Sequence, residues 1–256
     1  MKKSKPNLRP NSIAIVVPSR GQIFSETIDE VIKNLAGYDY KFFISHDNPI
    51  PECFNIPTKQ ALEEGYEWIW YVEEDMVIPK YFIKHAMNEK YPIVACDYPA
   101  VRKESPDSRA STVLYSPDGT AFFTGMGCML VNRIILEKIG NFTTEFVWDI
   151  ELFDGILEFK QRKSGKKDDS RYGNQDVHFG ITLYANKLPI HVLKEYAGQR
   201  RIVKSGKIGV NDGSHNIKRY LSLKKNNVFS SQSDKNYIKL ILAMKTIKEV
   251  KVVPCV

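Results

Sequence analysis

Three carboxylates, Glu73, Glu74 and Asp75, stand together in the stretch EWIWYVEEDMVIP, directly behind an apolar run. Acids beside a hydrophobic segment cost free energy unless they are solvated, paired or bound to a cation. Clustered like charges also raise one another's pKa. A divalent cation answers both conditions, because hard Mg2+ and Mn2+ take oxygen ligands and bridge the phosphates of a nucleotide. If the alternation of an extended chain continues through the triplet, Glu73 and Asp75 share a face and Glu74 opposes them. An exposed acidic turn is the other reading of the same residues.

The elements around the acids follow a rhythm. Residues 13–17, IAIVV, are apolar and β-branched and end at Pro18, as in a strand buried on both faces. SETIDEVIKNLAG follows with Ser25 as N-cap and Gly37 as the helix stop. YKFFIS is the second strand. TKQALEEGYE reads as a helix from near Thr58 to Gly65, and EWIWYV is the third strand. Strand and helix in alternation predict a parallel α/β sheet, in which ligands bind beyond the carboxyl ends of the strands. Three successive strands end in polar residues, at Pro18-Ser19-Arg20, His46-Asp47 and Glu73-Glu74-Asp75, which predicts one shared crevice.

Further along, KYFIKHAMN predicts a helix and YPIVACDYPAVR a strand, with a loop or edge hairpin over 103–121. FFTGMGCMLVNRIILEKIG predicts a small-residue passage, a short strand and a helix closed by Gly140. Residues 160–173, KQRKSGKKDDSRYG, read as a polar, mobile segment. A helix resumes at Asp176 (DVHFGITLYANK), and LPIHVL reads as a last core strand, with His191 a satisfied core histidine. YIKLILAMKTIKEVKVV predicts a final helix or strand.

The 256 residues suffice for one main domain with its own core. The expected organisation is a basic tail over 1–11, a catalytic domain over 12–200, and a basic C-terminal extension over 201–256 packed on the core. No apolar stretch reaches the roughly 18–20 residues of a membrane span, and IAIVVP is too short for a signal-peptide core. The cysteines Cys53, Cys96, Cys128 and Cys255 form no CxxC pair, which fits a reducing cytoplasm. The net charge is +7 and the pI near 9.0. Residues 194–225 hold nine Lys/Arg against Glu195 and Asp212, a local excess equal to that of the whole chain. Such a stretch suits a polyanionic partner, or a solvated lysine-rich face.

Taken in order, these features resemble a GT-A-fold, nucleotide-sugar-dependent glycosyltransferase of the family 2 type, including related phage-encoded enzymes, over residues 12–215. The carrying segments are IAIVVPSRG, WIWYVEEDMVIP (similar to the family's strand and DxD motif), FFTGMGCMLVNRIILEKIG, GNQDVHFGITLYANKLPIHVL (similar to the family's "ED" helix) and GSHNI. Glu73 occupies the first acidic position of the DxD-like triplet, where the family has Asp. Gln175 precedes Asp176, where the family commonly has Glu.

The resemblance implies a Rossmann-like GT-A α/β fold with a mostly parallel sheet, and Mn2+ or Mg2+ held by Glu73, Asp75 and His215. It places Pro18, Ser19 and Arg20 in the nucleotide pocket, with Arg20 on a phosphate, and Asp47 on the base, most simply in a UDP-sugar. Glu73 touches metal or ribose, Glu74 is structural or faces the sugar, and Gly125 and Gly127 let backbone approach the donor. Asp176 becomes the general base of an inverting transfer, kept ionised by the helix N-terminus. Arg102, Trp148 and Asp149 form the acceptor side, Trp148 by stacking. The acceptor is a glycan, or a hydroxymethylated base in DNA lying along the basic stretch. Plainer roles fit some of these residues too: an Asx-turn for Asp47, an N-cap for Asp176, a core position for Trp148. A nucleotidyltransferase would share the acidic core but calls for a glycine- and lysine-rich loop that SRGQ does not supply. A basic nucleic-acid-binding protein would explain the charge but not the acids at strand ends.

Overall fold

The structure, a computed structural model, describes residues 7–99, 112–165, 174–202, 208–211 and 246–255. The first half alternates as the hydrophobic pattern demands: β1 (Arg9–Ser19), α1 (Ser25–Asn34), β2 (Asp39–His46), α2 (Glu52–Glu63), β3 (Tyr66–Val72), β4 (Met76–Val77), α3 (Phe82–Asn88) and β5 (Ile93–Asp97). A short hairpin, β6 (Leu114–Tyr115) and β7 (Ala121–Phe123), leads to β8 (Cys128–Asn132) and α4 (Arg133–Ile139). The remainder comprises β9 (Phe146–Phe153), β10 (Ile156–Lys163), α5 (Asn174–Ala185), β11 (His191–Tyr196), β12 (Gly198–Ile202), β13 (Ile208–Asn211) and β14 (Glu249–Val253).

Six strands form the central sheet in the order β11-β5-β8-β3-β1-β2. Every pairing is parallel except those of β8, which runs against both β3 and β5. This is a mixed α/β fold with a mostly parallel six-stranded sheet, as expected. Its two faces separate cleanly because strand side chains alternate. Ala14, Val16, Ile69 and Tyr71 pack with Phe54 of α2, Leu136 of α4 and Phe179 of α5. Ile13, Ile15, Trp70 and Val72 pack with Val31 of α1 and Phe82 of α3. A second sheet, β14-β10-β9, lays Leu157 and Phe159 against Ile181 of α5 and Phe122 of β7. Gly180 permits that layering, since a Cβ there would fall 2.4 Å from Cβ of Phe123.

The chain crosses over between β1 and β3: β2 lies outside β1 on one side, and β3 lies on the other. Such a reversal opens a crevice at the carboxyl ends of the strands. Ser19, His46, Glu73 and Asp97 all leave the sheet on that edge, and the antiparallel β8 enters there from Gly127.

Several boundaries differ from the sequence reading. β1 starts at Arg9, inside the expected tail, where the guanidinium pairs with Asp39 at 2.6 Å and lies over the Tyr66 ring. Ser25 is the first helical residue of α1 rather than its cap; Phe24 holds that position without a side-chain bond. α2 begins six residues before Thr58, at Glu52, and carries Pro57 inside it. Residues 160–163 belong to β10, its charged side chains lying on the open face of the hairpin: Lys160 meets Glu151 and Arg162 meets Asp149. Only HVL of LPIHVL enters the edge strand β11, so His191 is half-buried and stacked on Tyr91 at 4.3 Å rather than enclosed in the core. Of the C-terminal extension, 249–253 adds to β10 as a parallel strand. Among the described residues no helix is long and apolar enough to cross a membrane.

Candidate active site

β3 carries its side chains alternately to the two faces, and the first two acids inherit that alternation. Glu73 falls on the side of α2 and α5, and Glu74 on the side of α1. The alternation stops there. The Glu73 N–H donates to the Gly127 carbonyl at 3.2 Å, and the Met76 N–H donates to the Glu73 carbonyl at 3.3 Å, closing a turn. Glu73 and Asp75 are therefore not successive members of one strand face, contrary to the extended-chain expectation.

Glu74 is buried and bound to the loop after β1. Its carboxylate accepts from the Arg20 backbone N–H at 2.8 Å and from Arg20 Nε at 2.6 Å, and its carbonyl accepts from the Phe24 N–H at 3.1 Å. Arg20 thus spans the crevice between β1 and β3 while most of its side chain stays in solvent, 70% exposed. The sequence reading gave Arg20 to a phosphate; here its first engagement is Glu74, and the structural role for Glu74 is the one the geometry favours.

A second clamp holds the far side of the turn. Arg200 on β12 is 5% exposed. Its guanidinium binds Thr27 Oγ1, the Met76 carbonyl and the Glu30 carboxylate, and the Arg200 backbone N–H donates to the Asp75 carbonyl. Glu30 in turn accepts from the Ile78 N–H at 2.8 Å. One of the nine cations of the basic stretch is therefore interior and internally paired, not part of a surface for polyanions.

Asp176 lies near enough to Glu73 for its charge to act on that carboxyl. Burial pushes the Glu73 carboxyl up to about 8, with the negative charges of Asp176 and Asp75 adding to the shift. Burial likewise raises Asp176 to about 7, against hydrogen bonds from the Met126 backbone and the Gln175 side chain. The expectation that the helix N-terminus alone would keep Asp176 ionised gives way to this desolvation. Its Oδ1 is buried with no hydrogen-bond partner among the described residues. Asp75 rises to about 6 through burial, opposed by Arg20. Cys53, at the start of α2, lies in the field of Asp176 and Glu73, and burial pushes its thiol up to about 11. That value keeps it a neutral lining group.

The glycine passage serves Tyr98. A Cβ on Gly125 would fall 2.0 Å from the Tyr98 hydroxyl, and one on Gly127 would fall 2.8 Å from the same ring. The Gly127 N–H donates to that hydroxyl at 2.9 Å. The glycines thus admit Tyr98 behind the acids, whereas the expectation was a close approach to donor sugar. Pro18 is half-buried and Ser19 buried, and Ser19 Oγ accepts from the Gly21 N–H at 3.0 Å. Asp47 is exposed with φ 53, and its N–H donates to the Ser19 carbonyl at 3.0 Å. This strained, solvent-facing position at the crevice leaves its carboxylate available.

Trp148 and Asp149, expected to act together, point to opposite faces of β9. Trp148 turns inward and donates from Nε1 to His178 Nδ1 at 3.1 Å, which fits a histidine held neutral by burial. Asp149 turns outward to Arg162 at 2.9 Å. Arg102, His215 and most of the basic stretch lie outside the described residues. Glu30, Cys53, Tyr98 and Arg200 are neighbours of the site that the sequence reading did not single out. Nothing in GQRRI or PECF marks them; only YPIVACDY hinted at Tyr98, as a residue at a strand exit.

The acids supply hard oxygen donors and one orphaned buried oxygen. Among the described residues no three His, Cys, Asp or Glu side chains stand close enough to form a complete metal cage. A Mg2+ ion is commonly bound by only one or two carboxylates together with substrate phosphates and waters, and Glu73 and Asp75 are the residues that would supply them.

No protein-family model matches the sequence, and no curated protein matches it. Among solved structures, A197 from STIV is 18% identical, over 78% of this chain and 94% of that one, with a TM-score of 0.46. A protein from Bacillus anthracis assigned as a glucose-1-phosphate thymidylyltransferase, in complex with sucrose, is 8% identical over 87% and 98%, with a TM-score of 0.36. The 4-diphosphocytidyl-2C-methyl-D-erythritol synthase of Anaerococcus prevotii is 12% identical over 50% and 74%, at 0.29.

Proposed function

We propose that the chain is a nucleotide-sugar-dependent glycosyltransferase that moves a sugar from a nucleoside diphosphate to an acceptor hydroxyl. The observation that carries this reading is the placement of Glu73, at the end of β3, in the field of both Asp176 and Asp75, with Asp176 Oδ1 buried and without a partner among the described residues. Glu73 and Asp75 would hold Mg2+ or Mn2+, with His215 as a further ligand. When bound, the cation supplies positive charge to the diphosphate leaving group. Ser19 and the backbone after Pro18 line the nucleotide side, and Asp47 meets the base, which we take to be uracil. Asp176 accepts the proton of the acceptor hydroxyl as that oxygen attacks the anomeric carbon and the bond to the diphosphate breaks, giving inversion. A base with a pKa near the working pH is the efficient choice for such a transfer, and about 7 meets that requirement.

The decisive variant is Asp176→Asn. With UDP-glucose, UDP-galactose and UDP-N-acetylglucosamine as donors and Mn2+ present, release of UDP is expected to fall by roughly 10^2–10^4-fold. Donor affinity should stay within a few-fold of wild type. Pyrophosphate formed from UTP and a sugar 1-phosphate, without sugar transfer, would instead establish nucleotidyl transfer.

A further inference from the structure

The inner face of the β9–β10–β14 sheet is a ladder of side chains in register. Leu152 stands opposite Leu157, Ile150 opposite Phe159, and Trp148 opposite Gln161. β14 extends the rows, with Val250 beside Leu157 and Val252 beside Phe159. The first two rows are filled by α5 and β7. At the third row the filling stops, and a cavity of about 750 Å3 opens between the ladder, the second half of α5 and the β6–β7 turn. A volume of this size accommodates a drug-sized ligand.

Its walls combine aromatic rings, Trp148 and Tyr184, with hydrogen-bonding groups from Gln161, Thr182, Asp118 and Lys187. Several of these are held in place. Asp118 Oδ1 accepts from both the N–H and the hydroxyl of Thr120, at 3.0 and 2.7 Å, which fixes its carboxylate. The Trp148 ring is anchored by its bond to His178. Gln161 accepts from the Cys255 N–H at 3.0 Å through its oxygen, which fixes the orientation of its amide.

One acid and one base in the wall give no net charge to attract a phosphate or a nucleic acid. Flat aromatic faces beside amide, hydroxyl and carboxylate groups match the alternation of C–H faces and hydroxyls on a neutral sugar. Thr182 and Tyr184 lie six and eight residues beyond Asp176 on α5, about 9–12 Å along the helix axis. The cavity is therefore separate from the acids but lies along the same helix.

We propose that this cavity binds a neutral saccharide chain. On the glycosyltransferase reading, which this role rests on, that chain is the acceptor, held along α5 at a distance from the reacting hydroxyl. Calorimetric titration of the full chain with maltohexaose, cellohexaose and chitohexaose tests it. At least one should bind saturably, and its affinity should fall about tenfold in Trp148→Ala and in Gln161→Ala, the loss expected for a stacked ring or a well-made polar contact. Gln161 sits at the rim of the sheet, so its variant reports even if Trp148→Ala fails to fold. Asp149→Ala, on the opposite face of the same strand, and Glu73→Gln, in the acid site, should leave the affinity unchanged. Binding by none of the three, or binding lost in Glu73→Gln and kept in Gln161→Ala, would overturn the proposal. Saccharide binding without any sugar transfer from the UDP-sugars would leave the cavity standing and remove the transferase reading.

Discussion

Glu30→Ala is expected to lower the melting temperature by on the order of 10 °C. The substitution leaves the Arg200 guanidinium in place, 5% exposed and without its carboxylate. Removing one partner of a buried ion pair costs about 3–5 kcal/mol because the other charge stays buried, and in a domain of this size each kcal/mol shifts the midpoint by roughly 2–4 °C. The Ile78 N–H also loses its acceptor. The double variant Glu30→Met, Arg200→Met removes both charges, and the two side chains fill similar volume. It should recover much of the loss, so the effects of the single changes will not add. Thermal unfolding followed by circular dichroism measures both variants. A midpoint unchanged in Glu30→Ala would show that the pair does not brace the acid turn.

The second large effect is a dependence of stability on pH that Glu73→Gln reduces. The Glu73 carboxyl rises from 4.5 to about 8 on folding. Between those values the unfolded chain has released the proton and the folded chain retains it, so the unfolded state binds fewer protons. Stability of the free protein must therefore fall as pH rises from about 4.5 to 8 and level off above. Asp176 and Asp75, raised to about 7 and about 6, add in the same direction over the lower part of that window. Urea unfolding at pH 5 and pH 8 should show wild type losing several kcal/mol, with the Glu73 share, roughly half of that loss, absent in Glu73→Gln. The variant should be the more stable protein at pH 8, as expected where a site stores unfavourable charge for a ligand to relieve. Equal pH slopes in the two proteins would place Glu73 in water.

The parts legible in the sequence were those governed by local pattern. IAIVV and EWIWYV became β1 and β3 because continuous apolar runs demand burial on both faces, YKFFIS became the edge strand β2 with Tyr40 and Ile44 left exposed, and the acids fell where β3 had to end. Asp176 was found at a helix start for the same reason. What pattern could not supply was long-range pairing. The hairpin of β9 and β10 was missed because its outer face carries Lys160 and Arg162, whose charges hid an inner row of Ile150, Phe159 and Trp148. Arg200 read as one more cation in a basic stretch, since its burial depends on Glu30 and Thr27, some 170 residues away. Gly125 and Gly127 were recognised as places of close approach, but the approaching group is Tyr98, supplied by a different strand. The pKa of Asp176 was judged from its helix position, whereas burial decides it, against the opposing hydrogen bond from the Met126 backbone.

The claim at the centre of this account is that the acid turn and Asp176 form a cation-dependent nucleotide site. Calorimetric titration of wild type with UDP, once in Mn2+ and once in EDTA, and of Asp75→Ala in Mn2+, tests it most directly. Binding in Mn2+ that disappears both in EDTA and in Asp75→Ala is the predicted result. Binding of equal strength in all three titrations, or in none of them, would contradict it.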